Sequence, residues 1–361
     1  MLRPDKYMKI NFHQFSDDTR WRKTMFVLRQ GHLLDYFYNR FQWYYYPRYH
    51  RVSDFPLHVD LESSSKCNMH CPMCYRRRLS PSSIKVMDFD LALKIIDECA
   101  AHKLYSMRFS WRGEPFTNPR LVELLGYAKQ KGIKNVSFLT NGLVLDEENS
   151  LALIRAGVDY ISVSFDGIGE NYNRIRHPAR FEETYERLAN FMRLRKKMGK
   201  IKPALRVCTI WPAISKNPDE YYRVMARVTD KIVFNPYIDF KNAPQPDHNF
   251  VCQYPWQRLI VASNGHVVPC TGDHMERYVL GDASKQSLYD IWHSEKLDDL
   301  RRKHTSLERL DIKACADCRH GTLRKDKYYD MDWEEVTRET AVGHSYIYSK
   351  DNKMEEKTIE K

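Results

Sequence analysis

The chain of 361 residues predicts an α/β fold, a partial (β/α)6 barrel followed by a small C-terminal α+β module. Three observations predict it. From residue 56 to about residue 240, short β-rich runs alternate with longer helical patterns. Helix start and stop residues punctuate those patterns. After residue 243 the alternation ends, and a hairpin signal and spaced cysteines replace it.

Residues 1–54 form a basic, aromatic extension. Through Ser53 there are ten Lys/Arg against four Asp/Glu, and nine of the fourteen positions from Tyr36 to Tyr49 are Tyr, Phe or Trp. Residues 19–38 read as a helix, and Pro47 ends it or the segment after it. The β-rich runs are 57–62, 106–110, 136–140, 160–165, 205–211 and 231–237. Helical patterns at 90–102, 119–130, 147–156, 181–198 and 218–228 separate them. Asp88 or Asp90, Asn118, Asp146 and Asn217 suit N-caps, and Gly132, Gly157 and Gly199 suit stops. Repeated strand–helix alternation implies parallel βαβ crossovers. Six strands are too few for a closed eight-stranded barrel, so the barrel stays open, with its chemistry at the C-terminal strand ends. The expected organisation is the extension, a barrel over 55–243, a cysteine-bearing module over 244–325 and a tail over 326–361. Within the module, 259–263 and 266–269 flank Asn264-Gly265, a hairpin turn pair. Helices are expected next at 287–293 and 295–303. The tail from Asp351 is charged and expected to fray.

Composition narrows the class. Hydrophobic residues are 42% and charged residues 29%, enough for a core. No apolar run reaches the ~18 residues of a membrane span, and no secretory signal is present; a soluble cytoplasmic protein is expected. The net charge of +11 suits nucleic acid, phosphorylated ligands, an anionic surface or a solvated face. Nine cysteines without a secretory signal argue against a disulfide framework. Seven fall into two groups; Cys99 and Cys208 stand apart.

The first group is Cys67-Asn-Met-His-Cys71-Pro-Met-Cys74-Tyr75, directly after the first strand. Three thiolates hold three corners of an iron–sulfur cube and leave the fourth iron open, whereas such cubes otherwise take four cysteines. A structural zinc site would need a fourth ligand, and His70 is the rival reading. This loop resembles the CxxxCxxC signature of the radical S-adenosylmethionine (SAM) superfamily, with Tyr75 as the aromatic beside the last cysteine. The resemblance implies that SAM chelates the open iron and is cleaved to a 5′-deoxyadenosyl radical. Trp111-Arg112-Gly113-Glu114-Pro115 resembles the family's GGEP motif, with Arg112 in place of the first Gly; Gly113 and Glu114 would receive the SAM ammonium. Ser162-Val-Ser164-Phe-Asp166-Gly167 resembles the segment near the SAM ribose and carboxylate. Arg176, twelve residues after Ser164, matches an Arg that pairs with that carboxylate in related maturases, with Arg174 as the alternative. Asn141, in Thr140-Asn141-Gly142, is a further SAM-shell candidate.

The second group, Cys252, Cys270, Cys315 and Cys318, is spaced C-x17-C-x44-C-x2-C. Four thiolates fit a closed [4Fe–4S] cube or a structural zinc site held by cysteines alone. The surrounding sequence resembles the SPASM/twitch domain of radical SAM enzymes. No cysteine follows Cys318, which points to the twitch form with one auxiliary [4Fe–4S] cluster. The pattern is similar to radical SAM aminocyclitol dehydrogenases and to sulfatase maturases.

These likenesses imply a radical SAM oxidoreductase with two [4Fe–4S] clusters and SAM. A closed auxiliary cluster suits electron transfer, so the leading expectation is oxidation of an alcohol on a sugar or cyclitol. Asp273 is a candidate general base, Arg206 a substrate-binding residue and Cys208 a hydrogen-atom donor. Peptide or protein modification and sugar epimerisation are the alternatives. The expected partners are a small molecule or a peptide, and a flavodoxin- or ferredoxin-type electron donor. Nucleic acid is not expected: a zinc protein stacking Tyr and Trp on single strands leaves the Glu114 and Arg176 matches unexplained.

Overall fold

The computed structural model describes residues 24–25, 27–28, 31–214, 216–235, 245–329, 335–341, 345–348 and 354–357. The first helix, α1 (Leu33–Arg48), holds Pro47 in its last turn; residues 19–23, 26, 29 and 30 of the expected helix lie outside the described residues. The barrel then runs β1 (His58–Leu61), α2 (Phe89–Ala101), β2 (Ser106–Arg108), α3 (Leu121–Gln130), β3 (Asn135–Thr140), α4 (Glu147–Arg155) and β4 (Tyr160–Ser164). It continues through α5 (Gly169–Ile175), α6 (Phe181–Lys197), β5 (Ala204–Ile210), α7 (Pro218–Met225) and β6 (Lys231–Asn235). Residues 236–237 of the last expected strand lie outside the described residues.

Local chemistry sets these boundaries. Asp88 accepts from Leu91 N, Asp146 from Asn149 N and Asn217 from Glu220 N, each capping a helix start. Gly157 ends α4 at φ 73°, where a side chain would be strained. Asn118 is not the cap of α3: its side chain accepts from Arg120 N inside the preceding turn, and Arg120 takes the cap position. Helix α5 has no counterpart in the expected elements, because seven residues carry too little periodicity.

The strands β1 to β6 pair parallel in sequence order. Their residues alternate. Val59, Leu61, Met107, Phe109, Val136, Phe138, Ile161, Val163, Leu205 and Val207 are buried in one core with Ile95, Leu124, Leu153, Leu188 and Phe191 of the helices. The opposite face is polar and forms rows across the sheet. Asp60, Arg108, Ser137 and Tyr160 share one row. Ser162, Arg206 and Lys231 share the next, and Ser164 pairs with Cys208 above it. An all-apolar parallel strand would be buried on both faces; this alternation marks an open barrel with a polar interior.

The hairpin of the C-terminal module continues the barrel sheet. β7 (Arg258–Val261) pairs parallel with β1, and β8 (His266–Val268) and β9 (Gly281–Asp282) continue the sheet antiparallel. One nine-stranded sheet results, in the order β9-β8-β7-β1-β2-β3-β4-β5-β6. The helices α8 (Leu288–Trp292) and α9 (Glu295–Thr305) complete the module. Beyond it, Thr322–Tyr329 pairs with Glu335–Ala341 and Gln245–Pro246. Met354–Lys357 pairs with Ser345–Tyr348, where the sequence suggested a frayed tail.

α1 lies across the N-terminal strand ends. Asn39 Nδ2 donates to Leu57 O at 3.3 Å, Trp43 packs edge-on against His58, and Lys134 pairs with Asp35. α1 therefore covers the end of the barrel opposite the cysteine loop. No helix of the described residues is long and apolar enough to cross a membrane.

Candidate active site

The loop after β1 carries Cys67, Cys71 and Cys74, and each neighbouring strand end holds it. Glu114 N donates to Lys66 O at 2.7 Å. Gly113 packs so closely on residues 64–66 that a Cβ there would meet Ser64 O at 2.5 Å. Asn141 Nδ2 donates to Asn68 Oδ1 at 2.7 Å, and His70 N donates to His177 O at 3.1 Å. The motif glycine thus serves close backbone approach. His70 is exposed, which leaves it poorly set as a fourth ligand.

Glu114 is buried at 3% exposure. Its carboxylate accepts from Thr140 Oγ1 at 2.8 Å, Asn141 N at 2.7 Å and Phe116 N at 3.3 Å. Burial nonetheless pushes it up to about 7. A carboxylate offers about four lone-pair directions, so one further donor is accommodated. Arg176 comes directly after α5. Its Nε donates to Asp166 Oδ2 at 2.6 Å and its Nη1 reaches Cys71 Sγ at 3.7 Å. Asp166 is buried and also accepts from Ile210 N and Thr209 Oγ1. Arg174, the alternative, is exposed and donates to Asn171 instead. Ser164 sits half-buried at the end of β4, in register with Cys208. The structure brings Cys71, Arg176 and Asp166 together, and separately joins Glu114, Asn141 and Asn68.

Tyr75 faces the C-terminal module. Its hydroxyl donates to Trp111 O at 3.1 Å and its ring lies 4.4 Å from that of His274. Trp111 Nε1 in turn donates to Thr271 O, beside Cys270. Arg112, the departure from the motif, is a buried bridge. It forks onto Glu62 through Nε at 2.8 Å and Nη2 at 2.6 Å, and meets Glu276 through Nη1 at 2.6 Å. A glycine could not make this link. Sequence reasoning missed it, although an unmatched Arg in a motif was the available signal.

The second cysteine group converges. Each of the six pairs among Cys252, Cys270, Cys315 and Cys318 is close enough for mutual charge repulsion. Burial pushes Cys252 up to about 12, and burial with repulsion pushes Cys270 well above the ordinary thiol range. Four half-buried thiols gathered this way suit iron, which binds thiolates outright. His304, which sequence reasoning missed, lies against this group.

Asp273, the expected general base, lies in the loop after Cys270. It is 1% exposed, its Oδ1 accepts from Arg277 N at 2.9 Å and its Oδ2 from Tyr278 N at 2.8 Å. Both oxygens close the loop 273–278. Arg206 does face the barrel interior: its Nε donates to Ser162 Oγ at 2.9 Å and its guanidinium lies over the Tyr160 ring. Cys208 lies on the same face, and Asn235 Nδ2 donates to its sulfur at 3.0 Å.

Comparison with known proteins agrees with this geometry. Residues 61–227 match the model of the Radical SAM superfamily, and residues 252–319 match SPASM, an iron–sulfur cluster-binding domain. A tungsten-containing aldehyde ferredoxin oxidoreductase cofactor-modifying protein from Pyrococcus furiosus is 30% identical over 289 residues, 65% of this chain and 80% of that one. An S-adenosyl-L-methionine-dependent 2-deoxy-scyllo-inosamine dehydrogenase from Niallia circulans is 21% identical over 275 residues, 75% of this chain and 96% of that one. For two further curated relatives the chain spans 42% and 27% of their length. The crystal structure of BtrN in complex with AdoMet and 2-DOIA shares the fold, with a TM-score of 0.52 at 20% identity over 74% of this chain and 94% of that one. The chain belongs to the radical SAM superfamily. Within it, the chain carries the SPASM-type C-terminal domain, and its cofactors are SAM and iron–sulfur clusters.

Proposed function

We propose that this enzyme oxidises a secondary alcohol of a sugar or cyclitol to a ketone, with one electron passing to a single auxiliary [4Fe–4S] cluster. The observation that carries the reading is the polar inner face of β4 and β5. There Arg206, braced by Ser162 and Tyr160, sits one row below Ser164 and Cys208. Such a face binds hydroxyls. The likeness to a cyclitol dehydrogenase along 96% of that protein supports it.

In this reading Cys67, Cys71 and Cys74 hold one cluster and Cys252, Cys270, Cys315 and Cys318 hold the other. SAM bound at the open iron supplies a 5′-deoxyadenosyl radical that abstracts hydrogen. The chain's own residues do the rest. Glu114 offers its remaining lone pair to the SAM ammonium, and Arg176 lies beside Cys71 to meet the carboxylate. Asn141, Ser164 and Asp166 complete the SAM shell, and Tyr75 ties the cluster loop to the module. Arg206 orients the substrate hydroxyl. Loss of a hydrogen atom from the carbinol carbon to the 5′-deoxyadenosyl radical, of the hydroxyl proton to Asp273 as general base and of one electron to the auxiliary cluster would yield the ketone. A flavodoxin- or ferredoxin-type protein supplies the initiating electron.

Peptide modification is the second reading. Phe37, Tyr38, Phe41 and Tyr45 leave an aromatic face of α1 exposed, a surface that suits a peptide. That face lies at the far end of the barrel from the cysteine loop, which favours the small substrate. The test uses reconstituted enzyme, a reductant, SAM and polyols deuterated at the carbinol carbon. The reading expects deuterium in 5′-deoxyadenosine and one ketone per 5′-deoxyadenosine. Deuterium transfer from a peptide, with none from any polyol, would overturn it.

A further inference from the structure

His304 stands in the last turn of α9, 2% exposed, between two of the auxiliary cysteines. Cys252 N donates to its Nδ1 at 3.2 Å. Its Nε2 lies 3.6 Å from Cys315 Sγ. The first contact decides the second. A ring nitrogen that accepts from a backbone N–H carries no proton of its own, so the imidazole proton is on Nε2. That N–H points at the sulfur of a cluster ligand. Hydrogen bonds to cluster sulfurs and the polarity around them set the reduction potential of an iron–sulfur centre. A donor stabilises sulfur charge, and that charge is greater in the reduced cluster.

We infer that His304 donates a hydrogen bond from Nε2 to the Cys315 thiolate and thereby raises the reduction potential of the auxiliary cluster. The same side chain anchors the two ends of the ligand set. It receives the backbone of Cys252 and donates to the sulfur of Cys315, residues 63 positions apart in the chain. Helix α9 makes this possible: Leu297 and Leu300 bury one face in the core, and His304 shares that buried side. A higher potential makes the cluster a better electron acceptor. The inference deepens the electron-accepting role proposed above and rests on it for its purpose. Its test needs no substrate, so dehydrogenation can fail while the potential shift stands.

The experiment uses full-length chain with Cys67, Cys71 and Cys74 replaced by Ala, so that only the auxiliary cluster is present. Its midpoint is tracked by potentiometric titration with electron paramagnetic resonance. His304→Leu should lower the reduced-to-oxidised ratio at fixed potential about tenfold, a 59 mV fall for a one-electron couple. His304→Gln, which keeps an N–H and an acceptor, should stay closer to the parent. An unchanged midpoint in an iron-loaded His304→Leu protein, or an equal fall in both variants, would overturn the inference. Should the leucine variant fail to load iron, the parent chain labelled with 15N-histidine decides. Hyperfine spectroscopy of the reduced cluster should show a weak nitrogen coupling that His304→Gln removes. No coupling, or the strong coupling of a directly ligated imidazole, would overturn it.

Discussion

Arg176 reaches the sulfur of Cys71 across 3.7 Å while its Nε holds Asp166, so one guanidinium joins the cysteine loop to the ends of β4 and α5. Asp166 fixes the fork, and the fork then presents a cation beside Cys71. Arg176→Lys keeps the charge and loses the planar geometry. We expect it to retain full iron content and to lower SAM affinity at least about tenfold, or 1.4 kcal/mol. Equilibrium dialysis with the reconstituted protein measures this. Undiminished affinity would remove Arg176 from the SAM site.

In the proposed site, Glu114 would make SAM binding depend on pH. Burial raises its folded pKa to about 7, above the 4.5 of an unfolded Glu. Alone, such a group favours the fold below the unfolded value, and that contribution is lost as pH rises through the folded one. An ammonium bound to Glu114 favours the carboxylate, so SAM binding releases a proton below about pH 7. SAM affinity should therefore fall by up to tenfold per unit as pH drops below about 7. Glu114→Gln should flatten the profile and weaken binding at pH 8. A profile unchanged by the substitution contradicts this role.

Arg112 should matter to stability before it matters to chemistry. Its guanidinium and the Glu62 carboxylate are almost fully buried, at 1% and 0% exposure. Removing one partner strands the other charge. Arg112→Ala should cost about 3 kcal/mol in urea unfolding. Glu276→Gln should cost less, because Glu276 lies at the rim, 11% exposed.

Much of this architecture is legible in the sequence. His58-Val59-Asp60-Leu61 already separates a polar from an apolar strand face, and Asp88, Asp146 and Asn217 mark helix starts that form. Other features are not legible because they depend on distant pairing. Local pattern does not show that Val261 lies beside Leu61, which joins the module to the barrel. Nor does it show that the two oxygens of Asp273 accept from the backbone N–H groups of Arg277 and Tyr278. His304 gains its partners only when α9 docks against residues far from it in the chain.

Arg206 and Cys208 separate the candidate reactions. Arg206→Ala should cut kcat/KM ten- to a hundredfold, the worth of about 1.5–3 kcal/mol for a hydrogen bond to a charged group. Substrate-free SAM cleavage should be unaffected. Cys208→Ala should leave ketone formation within a few fold of the parent. A complete loss of turnover with Cys208→Ala would favour epimerisation, which needs a hydrogen-atom donor.

Two clusters of different kind, one with an iron open to SAM and one closed, are the central expectation. Iron and 5′-deoxyadenosine should be measured in the parent and in the chain with Cys67, Cys71 and Cys74 changed to Ala. The parent should hold about eight iron per chain, as two [4Fe–4S] cubes, and the variant about four. Reduced parent with SAM should release 5′-deoxyadenosine, and the variant should release none. Continued release from the variant, or stoichiometric zinc in the parent, would contradict the account.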